Sequence, residues 1–87
     1  MANWMGGSCP AMANQVAEGF ILLTSANLRG FLPADLTAFR LELEKVLRTV
    51  RAEVPPMDDA LAQAARNRKI SRISSALQVV MNQIATR

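Results

Sequence analysis

The sequence predicts an all-α fold with three helices, in which an antiparallel, coiled-coil-like helical hairpin packs with an N-terminal helix. Apolar residues recur at intervals of three and four along most of the 87 residues, which is the spacing of one helix face. Proline and glycine separate the periodic segments, at Gly30, Pro33 and Pro55-Pro56, and neither occurs between Met57 and Arg87. The chain therefore divides into helices at about 10–28, 33–54 and 58–86.

The size and composition predict one small domain that associates with another chain. A chain of this length buries only about 60–65% of the surface that its unfolded form exposes, yet 51% of its residues are apolar. The surplus apolar surface predicts an oligomer, a homodimer being the simplest, or a complex with a partner protein. We expect residues 1–9, with Gly6-Gly7-Ser8, to form a flexible tail and residues 10–87 to form the domain.

The first predicted helix has a broad apolar face. Pro10 suits its first turn. Its polar residues gather on one side, at Asn14, Gln15, Glu18 and Ser25, opposite the apolar positions Met12, Val16, Phe20 and Leu23. We expect the helix to run to residue 28 and Gly30 to take the left-handed conformation that follows many helices.

The second predicted helix has the clearest periodicity. Its apolar positions follow one another at intervals of 4, 3, 4, 3, 4 and 4, at Leu32, Leu36, Phe39, Leu43, Val46, Val50 and Val54. Pro33 and Asp35 suit its first turn, where a carboxylate faces the positive end of the helix dipole. Glu44 and Arg48 are spaced to form an ion pair on the exposed side. Pro55-Pro56 must end the helix, because proline lacks the amide hydrogen.

The third predicted helix starts at Asp58-Asp59, where carboxylates stabilise a helix N-terminus. Two apolar stripes on this helix point in nearly opposite directions, an early one (Met57, Leu61, Ala64 and Ala65) and a later one (Ile70, Ile73, Leu77, Val80 and Ile84). The helix therefore either breaks near 66–69 or packs on different neighbours at its two ends, and the absence of proline and glycine favours a continuous helix. One small core can hardly cover both sides of its later half, which predicts a partner-binding set comprising Ile70, Ile73, Leu77, Val79, Val80, Met81 and Ile84.

Charge is distributed unevenly along the chain. Residues 61–87 hold five basic residues and no acidic one, whereas all seven acidic residues precede them. Four of the basic side chains form a cluster, namely Arg66, Arg68, Lys69 and Arg72. The cluster is either a charged rim around a protein interface or a phosphate-binding surface. The first interpretation is favoured, because no aromatic residue is interleaved to stack on a base and no helix-turn-helix glycine is present.

The residues of common catalytic and metal sites are missing. The sequence has no histidine and no tyrosine, and Asp58 and Asp59 are adjacent and diverge on a helix. We expect no enzymatic activity, metal or cofactor. Cys9 is a candidate reactive thiol at a helix N-terminus, although a small residue without chemistry is the favoured interpretation. A lone cysteine, and no Lys or Arg before Arg29, predict a cytoplasmic protein.

The stretch Leu28-Arg29-Gly30-Phe31-Leu32-Pro33-Ala34-Asp35-Leu36 resembles the opening signature of the TraM family of quorum-sensing antiactivators. In that family an Arg-Gly pair is followed closely by a helix start of the Leu-Pro…Asp-Leu type and then by two long antiparallel helices. The segment 74–80 is similar to the family's closing helix. The chain departs from the family in its Ala85-Thr86-Arg87 end and in its more basic segment 66–72.

The resemblance implies a helical dimer that binds a LuxR-type transcriptional activator and keeps it from DNA, with Arg68 and Arg72 meeting acidic or polar groups of the activator. We therefore expect a non-catalytic regulatory protein that inhibits a protein partner. Two alternatives remain, a small nucleic-acid-associated protein that uses the basic face of helix three and a structural subunit of a larger assembly.

Overall fold

The computed structural model describes residues 4–5 and 7–86. The chain forms three α-helices, α1 (Cys9–Glu18), α2 (Pro33–Ala52) and α3 (Ala60–Ala85), with a 3₁₀ helix at Ser25–Leu28 between α1 and α2. The predicted all-α fold is confirmed. Helix α1 packs against both α2 and α3. The domain measures 45 × 25 × 18 Å, and its long axis matches α3, which at 1.5 Å per residue is about 39 Å long.

Helix α1 begins where the sequence predicts and ends ten residues earlier. The Ser8 hydroxyl caps it by accepting a hydrogen bond from the Ala11 amide at 3.2 Å, and Pro10 lies in its first turn. At the other end Gly19 has φ 85°, the Gly19 amide donates to the Val16 carbonyl and the Phe20 amide donates to the Gln15 carbonyl. This pair of bonds is a Schellman motif. The prediction of a helix over 10–28 is therefore wrong beyond Glu18, and the left-handed glycine expected at Gly30 is Gly19.

The segment between α1 and α2 is held by a side-chain cap of its own. The carboxamide oxygen of Asn27 accepts hydrogen bonds from the Thr24 amide at 2.8 Å and from the Thr24 hydroxyl at 2.9 Å. These bonds fix the 3₁₀ turn, which places Leu28 and then Phe31 in the core. The apolar run 20–23 thus lies in a loop, where only Leu23 is buried and Ile21 is half-buried.

Helix α2 follows the local signals of its sequence. Pro33 is its first residue, and the Asp35 carboxylate accepts a hydrogen bond from the Leu32 amide at 3.0 Å. The helix ends at Ala52, just before Pro55-Pro56. Glu44 pairs with Arg40 at 3.2 Å, one turn before it, so the predicted pairing with Arg48 is wrong.

Helix α3 is continuous through Arg66–Lys69, as the absence of proline and glycine favours. The Asp59 carboxylate caps it by accepting a hydrogen bond from the Ala62 amide at 3.0 Å. The two opposed apolar stripes differ in burial. Met57 and Leu61 of the early stripe are exposed, whereas Ile73 and Val80 of the later stripe are fully buried.

The core lies where the three helices meet. Its largest fully buried side chains come from every element, and they are Met12, Val16, Leu28, Phe31, Leu36, Phe39, Leu43, Ile73 and Val80. Trp4 packs edge-to-face on Phe31 and Phe39, with ring centroids 4.8 and 5.7 Å apart. Met5 also packs against the core. The predicted flexible tail is therefore wrong at these two residues, while residues 1–3 and Gly6 lie outside the described part.

Within the described residues, no helix has both the length and the apolar content that crossing a bilayer requires.

Candidate protein-interaction surfaces

The structure separates the predicted partner-binding set into three groups. Ile73 and Val80 are completely buried within the chain. They face α1 and α2, so they belong to the intramolecular core and cannot reach a partner while the domain stays folded. Assigning them to a binding surface is therefore wrong, and the physical reason is that α1 covers this side of α3.

The second group lies on one side of these buried residues. At about 100° per residue, Ile70, Leu77, Met81 and Ile84 all fall on the same side of the line through Ile73 and Val80. Met81 is exposed, and the other three are half-buried. We call this row the open side of α3. Its residues are the members of the predicted set that remain accessible on this side of the helix.

Val79 falls on the opposite side of α3 and lines a groove. The groove has a volume of about 210 Å³ and lies between α3 and the loop that follows α1. Its walls are mainly apolar, comprising Val16, Ile21, Leu22, Leu23, Ala76 and Val79, and Gly19, Ser71, Arg72 and Ser75 complete them. We call it the loop groove.

Two large apolar side chains stand exposed in the loop that follows α1, and one of them, Leu22, lines the loop groove. Phe20 is 76% exposed and Leu22 is 86% exposed. Because the helix ends before Gly19, Phe20 does not lie on the apolar face of a continuous helix, where it would have been buried. Neither was among the predicted site residues. The signal that could have found them is Gly19 itself, a strong helix-ending residue directly before four consecutive apolar ones.

A second exposed apolar group lies at the connection between α2 and α3. Val54, Met57 and Leu61 are 83%, 96% and 84% exposed. Gln63 holds this connection in place, because its side-chain amide donates to the carbonyls of Pro56 and Met57 at 3.1 and 3.0 Å. The connection therefore presents apolar side chains from a fixed backbone.

Arg66 stabilises the C-terminus of α2. Its Nε donates to the Glu53 carbonyl at 2.8 Å and to the Val50 carbonyl at 3.3 Å, and its Nη2 donates to the Arg51 carbonyl at 2.9 Å. The Val50 carbonyl also accepts from the Glu53 amide at 3.2 Å, whereas the Arg51 and Glu53 carbonyls lie at the helix end, where intrahelical partners are missing. The positive charge also faces the negative end of the α2 dipole. Arg66 is thus a helix cap supplied by the neighbouring helix.

Arg72 stabilises the C-terminus of α1 in the same way as Arg66 stabilises that of α2. Its Nε donates to the Ala17 carbonyl in the last turn of α1 at 2.9 Å. The guanidinium lies close against the backbone at Gly19, where an added Cβ would be 3.3 Å from Nε. Glycine at this position therefore supplies both the positive φ and the space for the guanidinium.

The other two basic residues differ from each other. Lys69 forms an ion pair with Glu18 across the α1–α3 contact, with 3.1 Å between Nζ and Oε1. Arg68 is exposed and has no hydrogen bond or ion pair within the described residues. The structure thus brings three members of the predicted basic cluster onto α1 and α2. Arg87 lies outside the described residues.

Cys9 lies at the start of α1, beside α2. Burial raises the pKa of its thiol above the ordinary value, and the nearby carboxylates Glu42 and Asp35 raise this pKa further, against a smaller opposing effect of Lys45. The environment therefore disfavours the nucleophilic thiolate. Within the described residues, no three His, Cys, Asp or Glu side chains are grouped closely enough to hold a metal ion.

Comparison with known proteins gives no relative, since no family model, curated protein or solved structure matches this chain.

Proposed function

We propose that this chain is a non-catalytic regulatory protein that acts by binding another protein. The observation that carries the proposal is the exposure of Leu22, which lines an apolar groove, together with the exposure of Phe20 in the same loop. Exposed aromatic and aliphatic side chains next to a pocket are typical of the anchors that dominate protein–protein binding energy. A small domain gains nothing in stability from holding them in water.

Within this class, we propose a LuxR-type transcriptional activator as the partner, with inhibition of its DNA binding as the result. The support is the resemblance of residues 28–36 to the opening of the antiactivator signature. Within this stretch, Leu28 and Phe31 lie in the core, and Pro33 and Asp35 lie in the first turn of α2.

Self-association is part of the proposal. The open side of α3 presents Met81 with the half-buried Ile70, Leu77 and Ile84. A second copy that packs on this row would cover it and leave the loop groove free, since the two lie on opposite sides of α3. Sedimentation equilibrium of the wild type and of Met81→Glu tests this. We expect a dimer that the charge dissociates, and a monomeric wild type would contradict it.

The basic residues favour a protein partner over nucleic acid. Arg66, Lys69 and Arg72 are engaged with helix ends and with Glu18. Only Arg68 and the remaining N–H donors of Arg72 are without a partner within the described residues. A surface that neutralises few phosphates gives weak, non-specific binding to nucleic acid.

The test is co-purification of the chain with a LuxR-type activator, followed by an electrophoretic shift assay with the activator's DNA. We expect a stable complex and loss of the shifted DNA band as the chain is added. Leu22→Ser should weaken the complex, and Thr37→Ser, at an exposed position on α2, is the matched control. Absence of a complex with the activator contradicts this assignment, and salt-dependent binding to duplex DNA that Arg68→Ala abolishes would favour the nucleic-acid alternative.

A further inference from the structure

The loop groove has the dimensions of a side-chain pocket. Its volume of about 210 Å³ is below the roughly 300–1,000 Å³ typical of small-molecule sites. It is suited to one or two anchoring side chains of a partner. Leu22, which lines the groove and is largely exposed, adds apolar contact surface around such an anchor.

The groove also carries positive charge. Arg72 lines it, and Arg68 lies one helical turn before Arg72 on the same face of α3. Glu18 is already paired with Lys69. Arg72 in the groove wall and Arg68 one helical turn away therefore provide positive charge beside an apolar pocket.

Arg72 is held ready to bind an anion. Its Nε is fixed on the Ala17 carbonyl, and its guanidinium packs against Gly19. Its remaining N–H donors have no partner within the described residues. A guanidinium fixed in this way loses little side-chain entropy when it binds a carboxylate.

The shape of the surface selects the form of the ligand. A peptide that binds as an added β-strand needs a sheet edge, and the described residues form no sheet. A helix laid along α3 can instead insert an apolar side chain into the groove. An acidic residue one turn away on that helix can then reach Arg72 or Arg68.

We propose that the loop groove binds an acidic amphipathic helix of the partner protein, with an apolar anchor between Ile21 and Val79 and a carboxylate on Arg72. This inference rests on the proposed function and names the chemistry of the partner segment. The positive surplus beside the groove excludes a basic helix by like-charge repulsion.

The experiment uses two fluorescently labelled peptides with the same leucine stripe. Each is about 18 residues long, above the length at which isolated helices are marginal. One carries glutamate next to the stripe, and the other carries glutamine at the same positions. Fluorescence anisotropy with the full chain should show tighter binding of the glutamate peptide, by about tenfold at low salt, with the difference shrinking as salt is added.

Four variants locate the site. Leu22→Ser should weaken binding of both peptides by about tenfold, as loss of an anchor contact does. Arg68→Gln and Arg72→Gln should remove the preference for glutamate. Arg68→Gln keeps the test valid if loss of the Arg72 cap unfolds the chain. Met57→Ser, at an exposed apolar residue away from the groove, is the control and should bind both peptides like the wild type.

Equal affinity for the two peptides, or a loss at Met57→Ser as large as that at Leu22→Ser, would overturn the inference. Its failure is separable from that of the proposed function. If the chain captures the activator but Leu22→Ser captures it equally well, the function stands and the groove is the wrong site. If the glutamate peptide binds as described but no activator is captured, the groove stands and the assignment of the activator fails.

Discussion

Replacing Arg66 by methionine should destabilise the domain by about 2 kcal/mol. The change keeps the aliphatic stem but removes the hydrogen bonds to the carbonyls of Val50, Arg51 and Glu53. A hydrogen bond from a charged donor contributes about 1.5–3 kcal/mol when it is shielded from water. Nε shares one hydrogen between two of these carbonyls, so two bonds are effectively lost, and their partial exposure reduces the value of each. The charge at the α2 C-terminus adds about 0.5 kcal/mol.

Urea unfolding followed by circular dichroism at the helix band measures this loss. A small domain has a slope of about 1 kcal/mol per molar urea, so the midpoint should fall by about 2 M. Arg68→Met is the matched control. It removes the same charge only two residues after Arg66, and the Arg68 side chain has no partner in the described structure. It should shift the unfolding free energy by less than about 0.5 kcal/mol. Equal effects of the two changes would refute the assignment of Arg66 as a helix cap.

Three further predictions concern the ends of α1 and the N-terminal segment. Gly19→Ala should cost about 2 kcal/mol in urea unfolding, because φ 85° is strained for alanine and its Cβ would crowd the Arg72 guanidinium; a neutral effect would contradict the left-handed cap. Trp4→Ala should cost about 2–3 kcal/mol in a thermal melt, since it removes the edge-to-face packing on Phe31 and Phe39; an unchanged melting temperature would show that Trp4 does not pack. Because the pKa of Cys9 is raised, the folded state holds the thiol proton more tightly than the unfolded state does. The contribution of the protonated thiol to stability is therefore complete below the ordinary thiol pKa and is lost as pH rises through the pKa of the folded state. Cys9→Ala should therefore flatten the alkaline fall in stability, and the wild-type thiol should react more slowly with a disulfide reagent at pH 8 than free cysteine does; faster reaction would contradict the raised pKa.

The two long helices were predictable because their boundaries are encoded locally. Pro33 and Asp35 start α2, Pro55-Pro56 ends it, and Asp59 caps α3 through a hydrogen bond to an amide three residues away. Each signal acts within one turn of chain. The stripe between these boundaries then decides which face is buried.

The end of α1 depends on contacts that are distant in sequence. The apolar run 20–23 continues the helical period, so the wheel alone favours a longer helix. The helix is capped at Gly19. Arg72, which lies 55 residues after Ala17 in the sequence, contributes to this cap by donating a hydrogen bond to the Ala17 carbonyl. This long-range contact is not visible in the local pattern, and the exposed pair Phe20 and Leu22 was missed with it.

The contacts of the basic cluster could not be predicted for a related reason. Spacing showed that Arg66, Lys69 and Arg72 lie near one another. Four of their acceptors, however, are backbone carbonyls at helix ends, and no residue type in the sequence marks such an acceptor. A sequence identifies acidic partners and cannot identify backbone ones. The charges therefore resembled a free surface, while two of them cap helices.

Site-specific photocrosslinking in the native cell tests most directly the claim that the exposed apolar side chains beside the loop groove contact a partner. A photoreactive phenylalanine analogue at Leu22 should give one discrete covalent adduct with another protein, and the same analogue at exposed Thr37 on α2 should give none. Folded protein that yields no adduct from Leu22 or Phe20, or equal adducts from Leu22 and Thr37, would contradict it.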